Sequence, residues 1–102
     1  MSATFGTGEW IEVEKKNFDA YCRAKGIGMI KRKMAATILH HFKFSEGSVS
    51  IKAGAMNQEK PLVDNKLEDG DFHGGRFFMR DGFLVYEMNA GGVTAEVVCK
   101  KS

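Results

Sequence analysis

Histidines and cysteines are the residues of this chain best suited to metal binding or catalysis. His40 and His41 are adjacent, so in a strand their side chains would point to opposite faces and could not bind one metal ion together. His73 stands far from both in the sequence. Cys99 could act as a nucleophile, but the sequence names no residue that would orient or activate it. We therefore predict no metal site, no cofactor and no catalytic residue, and we expect the protein not to be an enzyme.

Cysteine usage and hydropathy indicate the compartment. Cys22 and Cys99 are too few for a disulfide framework and lack the paired spacing of a zinc site, so both are expected to be reduced thiols. The sequence has no apolar run of membrane-spanning length, and its start does not resemble a secretory signal. These features predict a cytoplasmic protein.

Charge gives weak evidence about partners. The net charge of +2 comes without a basic stripe carrying base-stacking aromatic residues, so we expect no nucleic-acid partner. One basic cluster could face an anionic membrane, where each residue would contribute up to about 1 kcal/mol. The alternative is an ordinary solvated helix face. The cluster comprises Lys25, Lys31, Arg32 and Lys33.

Composition and periodicity predict a mainly β protein. Twelve glycines, one proline and eight phenylalanines among 102 residues favour short strands joined by tight turns, in a single domain spanning residues 1–102. The segment "EWIEVEKK" alternates, with Ile11 and Val13 on one face and Trp10, Glu12 and Glu14 on the other, as in a half-buried strand.

A helical hairpin is predicted over about residues 17–38. Asn17 is in an N-cap position, and the first helix ends near Lys25 and Gly26. A second helix follows, with apolar residues at helical spacing. A pair this short must lie on the strands, because it could not be stable alone in water. The apolar residues of the second helix are Ile27, Ile30, Met34 and Ile38.

The remaining segments have the period-two pattern of strands. "HFKFSEGSVSIKA" predicts a β-hairpin, and the last part of the chain predicts three strands in meander order. Residues 54–75 give a weaker signal, with at most two short strands, around Leu62-Val63 and at Lys66-Leu67. About seven antiparallel strands and one helical hairpin are expected.

The N-terminal motifs resemble those of the intracellular fatty-acid-binding proteins, which are lipid-binding β-barrels of the calycin group. The motifs are "GEW", then "NFDAY" beginning seven residues after the tryptophan, then "KGIG" and "KRKMA", with "GGVTAEVV" opening the last strand. The resemblance implies an up-and-down barrel of ten antiparallel strands around a cavity. It also implies that the helix-turn-helix forms a lid over the ligand portal.

Three departures from this family alter the expectation. About three strands are missing from the middle of the chain, so we expect a reduced barrel with a smaller interior, spliced near residues 69–75. Glu12 stands where the family prefers an apolar residue. The resemblance implies three donors for a fatty-acid carboxylate, yet Phe77, Val97 and Cys99 stand at those positions, so no anchor for a carboxylate is expected.

Two sets of residues are candidates for ligand contact. Ile27, Met29, Ile30 and Met34 on the second helix could form the portal or only pack the lid onto the barrel rim. The aromatic residues of the strands, with Val97 and Cys99, could line a lipid cavity or fill it. These aromatic residues include Phe42, Phe44, Phe77 and Tyr86.

Two functional hypotheses follow. The first is a lipid-binding module that binds or carries a small hydrophobic ligand, a fatty acid or another lipid, with weakened or altered binding. The alternative is a ligand-free barrel that acts as an interaction or structural protein. Because a barrel that has lost strands exposes two edges, the alternative includes a homodimer formed by strand exchange.

Overall fold

The computed structural model describes residues 8–69 and 73–102 and confirms a mainly β architecture with two helices after the first strand. Every other element is a strand. In chain order the elements are β1 (Gly8–Lys16), α1 (Phe18–Ala24), α2 (Met29–Thr37), β2 (His40–Ser45), β3 (Ser48–Ala53), β4 (Met56–Pro61), β5 (Lys66–Leu67), β6 (Gly75–Arg80), β7 (Phe83–Ala90) and β8 (Val93–Lys101).

The strands form one antiparallel sheet that curls into a nearly closed barrel. Its order is β4-β3-β2-β1-β8-β7-β6-β5, so strands next to each other in the sheet are consecutive in the chain, except where β1 pairs with β8. This is the predicted up-and-down order, with eight described strands where about seven were expected. The seam of the barrel lies between the two outer strands, β4 and β5.

A tight turn joins the two strands at this seam. Asp64 and Asn65 both have positive φ, at 52° and 60°. Two consecutive residues in this conformation form the type I′ turn, which suits the twist of a β-hairpin. Val63 and Lys66 pair across the turn. β4 and β5, the two ends of the sheet order, are therefore consecutive in the chain and joined by this turn.

The buried face of β1 carries Trp10 and Glu12, which are 5% and 6% exposed, whereas Val13 is 48% exposed. Glu14 was predicted on the same face as Trp10 and Glu12, but it is exposed. The pairing of β1 with β8 shifts between Glu12 and Glu14, which is a β-bulge or a similar irregularity. Glu12 lies two residues after Trp10 and before this shift, so simple alternation places its carboxylate on the buried side of the strand.

The helical lid begins and ends close to the predicted positions. Asn17 precedes α1, but it has φ 58° and its side-chain amide donates to the carbonyl of Thr94 at 3.0 Å instead of capping the helix. Gly26 follows α1 with φ 81°, a conformation that glycine adopts without strain. This contact with Thr94 fixes the start of the lid to β8.

The middle of the chain was predicted least well. A strand around Leu62 and Val63 is wrong, because β4 ends at Pro61 and Leu62 instead donates its N–H to the carbonyl of Gly47 at 3.0 Å. The short strand Lys66–Leu67 is confirmed as β5. The expected splice at residues 69–75 includes residues 70–72, which lie outside the described residues.

Candidate functional site

Four aromatic side chains meet in the centre of the barrel. The ring centroid of Phe77 lies 5.0 Å from those of Phe42 and Phe44 and 4.5 Å from that of Tyr86. All four residues are at most 3% exposed. Centroid distances in this range indicate direct ring contact. Between the two interpretations of these residues, lining a cavity or filling it, the packing favours filling.

Phe77, Val97 and Cys99 stand where the resemblance implies donors for a carboxylate, and all three are buried. Burial, and after it the charge of Glu12, raises the pKa of the Cys99 thiol to about 12. A thiol with this pKa stays protonated at neutral pH and is a poor nucleophile. These positions therefore provide no charged anchor for a ligand.

A cleft of about 190 Å³ opens beneath the lid, between the helices and the rim of β2, β3 and β4. It is smaller than the roughly 300 Å³ at which pockets for drug-sized ligands begin. Its wall combines apolar side chains with two imidazoles. The lining residues are Phe18, Ala35, Ile38, His40, Ala53, Met56 and His73.

The imidazole rings of His40 and His73 both pack against the ring of Phe18 in T-shaped arrangements. The Phe18 ring centroid lies 6.1 Å from that of His40 and 6.4 Å from that of His73, with both pairs close to perpendicular. Burial lowers the pKa of His73, and the charges of Lys25 and His40 lower it further. The His73 side of the cleft is therefore neutral at physiological pH.

Glu12 lies behind the cleft wall and accepts three hydrogen bonds. Its Oε1 accepts the backbone N–H of His40 at 3.1 Å and contacts Nδ1 of His40 at 2.7 Å. Its Oε2 accepts Nζ of Lys15 at 2.5 Å. The same Nζ donates to the carbonyl of Ile38 at 2.6 Å. This network joins β1 to the junction of α2 and β2, and Ile38 and His40 are both cleft residues.

The ionised form of Glu12 is favoured despite its burial. Burial alone would raise the pKa of Glu12, but the hydrogen bonds from His40 and Lys15 outweigh it, so the pKa lies below its ordinary value. The side chains of Glu12 and Lys15 are 3% and 11% exposed. Removing one partner of such a buried pair leaves an unpaired charge away from water.

The two helices are held to the barrel in different ways. Three buried side chains anchor α1, whereas α2 has no buried residue. Near its start, α2 is held by Arg32, whose Nε donates to Asp19 at 3.0 Å and whose Nη1 donates to the carbonyl of Ile27 at 2.8 Å. At its end, the carbonyl of Ile38 is held by Lys15. Polar contacts at both ends therefore hold α2 in place.

The four basic residues of the lid fall into two pairs. Arg32 is bound to Asp19 and to the carbonyl of Ile27, and Nζ of Lys25 lies 3.0 Å from the carboxylate of Asp69. Lys31 and Lys33 are exposed on α2, and within residues 8–69 and 73–102 neither of them forms a salt bridge. The charge available to an external partner thus comes from Lys31 and Lys33.

The apolar residues proposed for the portal mostly face outward. Met29, Ile30 and Met34 are 59%, 75% and 61% exposed, so they do not line the cleft. Ile27 is partly buried and packs against the core. The cleft instead takes Ala35 and Ile38 from the second helical segment. None of the cleft residues was among the ligand contacts predicted from the sequence. The one sequence signal near the cleft was Glu12, a carboxylate at a position where the resemblance implies an apolar residue.

The described part of the chain has neither a metal-binding cluster nor a membrane-spanning helix. Among its residues, no group of three or more His, Cys, Asp or Glu side chains is placed to hold a metal ion. No helix there is long and apolar enough to span a membrane.

Part of the chain is similar in sequence to a known protein. A stretch of 47 residues is 47% identical to sodium/calcium exchanger regulatory protein 1 of Doryteuthis pealeii; it covers 44% of this chain and 36% of that relative, just over a third of its length. No protein-family profile matches the chain.

Solved structures match over nearly the whole chain. Lipid binding protein 8 of Caenorhabditis elegans has a TM-score of 0.73 at 15% identity, covering 100% of this chain and 99% of that one. As-p18, described as an extracellular fatty acid binding protein, has a TM-score of 0.77 at 18% identity, covering 94% and 95%. Human cRBP IV has a TM-score of 0.73 at 15% identity, covering 95% and 98%. The chain has the fold of these lipid-binding proteins.

The buried pair predicts a specific response to acid. Because the folded pKa of Glu12 is lowered, its stabilising contribution is complete above the unfolded value, about 4.5, and is lost as the pH falls through the folded pKa. Glu12→Gln should cost about 3–5 kcal/mol at neutral pH, because it leaves Lys15 unpaired. Urea unfolding from neutral pH down to about pH 3 should therefore show a smaller loss of stability in Glu12→Gln than in the wild type.

The exposed Glu14 provides the control for this measurement. Glu14→Gln should follow the wild-type dependence of the free energy of unfolding on pH. If Glu12→Gln and the wild type lost the same free energy on acidification, the ionised Glu12 would not contribute to folding as described.

Proposed function

We propose that this protein is a non-catalytic lipid-binding module that takes a small, neutral hydrophobic ligand in the cleft beneath its lid. Three lines of support converge: the motif resemblance to the intracellular fatty-acid-binding proteins, the shared fold of proteins named for lipid binding, and the apolar wall of the cleft. We further propose membership of that family, a single domain over residues 1–102 and a cytoplasmic location. The two buried free thiols fit a reducing compartment.

The observation that carries the proposal is the contrast between the filled interior and the open rim. The aromatic contacts around Phe77 leave the centre of the barrel to side chains. Apolar surface is instead accessible where Phe18, Ala53 and Met56 border the cleft. A long acyl chain would have to displace the core, whereas a short chain or a single ring needs only the cleft.

The expected affinity is modest. Burying about 200 Å² of apolar ligand surface gains about 5 kcal/mol at 25 cal/mol per Å². This corresponds to a dissociation constant on the order of 0.1–1 mM before the cost of association is subtracted. A weak, exchangeable ligand is what such a cleft supports.

The ligand is expected to be neutral because the described residues that line the cleft include no lysine or arginine. Lys15, which donates to the carbonyl of the cleft residue Ile38, is bound to Glu12. A carboxylate that entered without a partner would lose its hydration at high cost. Octanol and octanoate share a chain length and differ in charge, so they test this expectation directly.

Titration followed by NMR should show octanol binding and little or no octanoate binding. Ala53→Trp should abolish the octanol response, because the indole would fill the cleft that Ala53 borders. Ala55→Trp is the matched control, since Ala55 is exposed in the turn before β4. Amide shifts at Ala53, Met56 and Ile38 provide the measurement.

Two outcomes would contradict the proposal. An equal octanol response in Ala53→Trp and Ala55→Trp would place binding elsewhere on the protein. Absence of any response in the folded wild type would favour the ligand-free barrel acting as an interaction protein, whose oligomeric state light scattering would then report.

Membrane association through α2 is a second proposal, favoured by its exposed face. Ile30 and Met34 are one turn apart on this helix and exposed, with Lys31 and Lys33 beside them. Apolar residues could enter the interface of an anionic bilayer while each lysine contributes about 1 kcal/mol. The lid would then bring the cleft close to a lipid source.

Vesicle sedimentation tests this second proposal. Replacing Lys31 and Lys33 together by Glu should lower binding to phosphatidylserine-containing vesicles about tenfold or more, given about 1 kcal/mol for each cation. The matched control replaces Lys52 and Lys100, which are exposed on other elements, by Glu. A control pair that weakened binding as much as the helix pair would show that only net charge matters.

A further inference from the structure

We propose that Glu12 is a specificity-determining residue, which excludes anionic ligands because its carboxylate already binds the cation that would hold them. This inference rests on the proposed function, since it concerns the same cleft. It adds a residue and a mechanism to the preference for neutral ligands: the chain carries an internal carboxylate where a ligand's head group would otherwise be bound.

The cation concerned is Lys15, which lies directly behind the cleft wall. Its Nζ is 2.6 Å from the carbonyl oxygen of Ile38 and 5.9 Å from the ring centroid of Phe18. Both of these residues line the cleft. An ammonium group carries three donors, and the contacts to Ile38 and Glu12 use two of them. Lys15 is therefore within reach of the cleft, but its charge is balanced internally.

Glu12 is placed to act as a substitute for a ligand carboxylate. It accepts one charge-assisted hydrogen bond from Lys15 and has two further contacts with His40. In the pairing of β1 with β8, Glu12 lies opposite Cys99. Cys99 is one of the positions where the resemblance implies a carboxylate donor. An internal carboxylate with its own donors thus lies next to a position that lacks the expected donor.

Among the described residues, the other charge near the cleft is also balanced: Lys25, which acts on His73, is paired with Asp69. Lys15 lies on the same strand as Glu12, His40 comes from β2, and Cys99 from β8. Cys99 is a buried neutral thiol, and His73 before β6 is held neutral by its burial. An entering carboxylate would meet a neutralised Lys15 and the like charge of Glu12, so its lost hydration would not be replaced.

Removing the charge of Glu12 should reverse the selectivity. Glutamine has nearly the same shape and keeps an oxygen that can accept from His40, so Glu12→Gln changes mainly the charge. Lys15 would then be a buried cation without a counter-ion. A carboxylate from solution could take the vacated role and restore the pair.

The experiment titrates octanoate and octanol into the wild type, Glu12→Gln and the matched control Glu14→Gln, followed by NMR. Glu12→Gln should bind octanoate about tenfold or more tightly than the wild type does, the gain expected for one charge-assisted hydrogen bond. Octanol affinity should change less than about threefold, because it contributes no charge. Adding Lys15→Met to Glu12→Gln should abolish the gain for octanoate.

The outcomes separate this inference from the proposed function. If octanol binds the wild type but Glu12→Gln gains no affinity for octanoate, the inference is overturned and the proposed function stands. If the gain persists when Lys15→Met is added, Lys15 is not the anion partner and the inference is also overturned. If neither ligand binds any folded form, the proposed function fails and this inference fails with it.

Glu12→Gln could lose its fold through the unpaired Lys15, and rescue then provides the test. Octanoate binds only the folded state in this scheme, so it should raise the folded fraction of Glu12→Gln in circular dichroism, whereas octanol at the same concentration should not. Equal effects of the two ligands, or none from either, would overturn the inference.

Discussion

The contact of Phe77 with three other aromatic rings determines how much space the barrel interior has for a ligand. The ring centroids of Phe42, Phe44 and Tyr86 lie 4.5–5.0 Å from that of Phe77. A barrel of eight strands is just wide enough for its side chains to fill it. The eight described strands and the aromatic core are therefore consistent with each other, because a narrow barrel leaves an interior that side chains can fill. Any ligand must then bind at the rim.

The rim combines apolar surface with an internally balanced charge. Glu12, Lys15 and His40 form a compact network that pairs the buried charges of Glu12 and Lys15 and connects β1 to the wall of the cleft. The same network holds the end of α2, a helix that buries no residue of its own. Lid position, cleft shape and charge balance therefore depend on the same few contacts. This coupling explains how one carboxylate in an apolar position can affect both stability and selectivity.

Local patterns predicted the elements, but long-range contacts decided the site. The helices, the first hairpin and the final meander follow from periodicity, capping and turn residues that lie within a few positions of one another. Alternation placed Glu12 on the same face as Trp10 but did not show which face of β1 is buried, so the inward position of Glu12 could not be predicted. The cleft brings together α1, α2, three strands and His73, whose proximity arises only when the sheet closes. The chain segment before β6 lacked a clear period, which is why β4 was placed too late.

We propose that side chains fill the barrel interior and that a ligand binds only in the cleft beneath the lid. Nuclear Overhauser effects between octanol and the protein's methyl groups test it most directly, because they report which side chains touch the ligand. The structure predicts effects to Ala53, Ile38 and Met56 at the cleft and none to Val97 or Leu84 in the interior. Strong effects to Val97 and Leu84 would show that the interior opens to the ligand and would contradict the account.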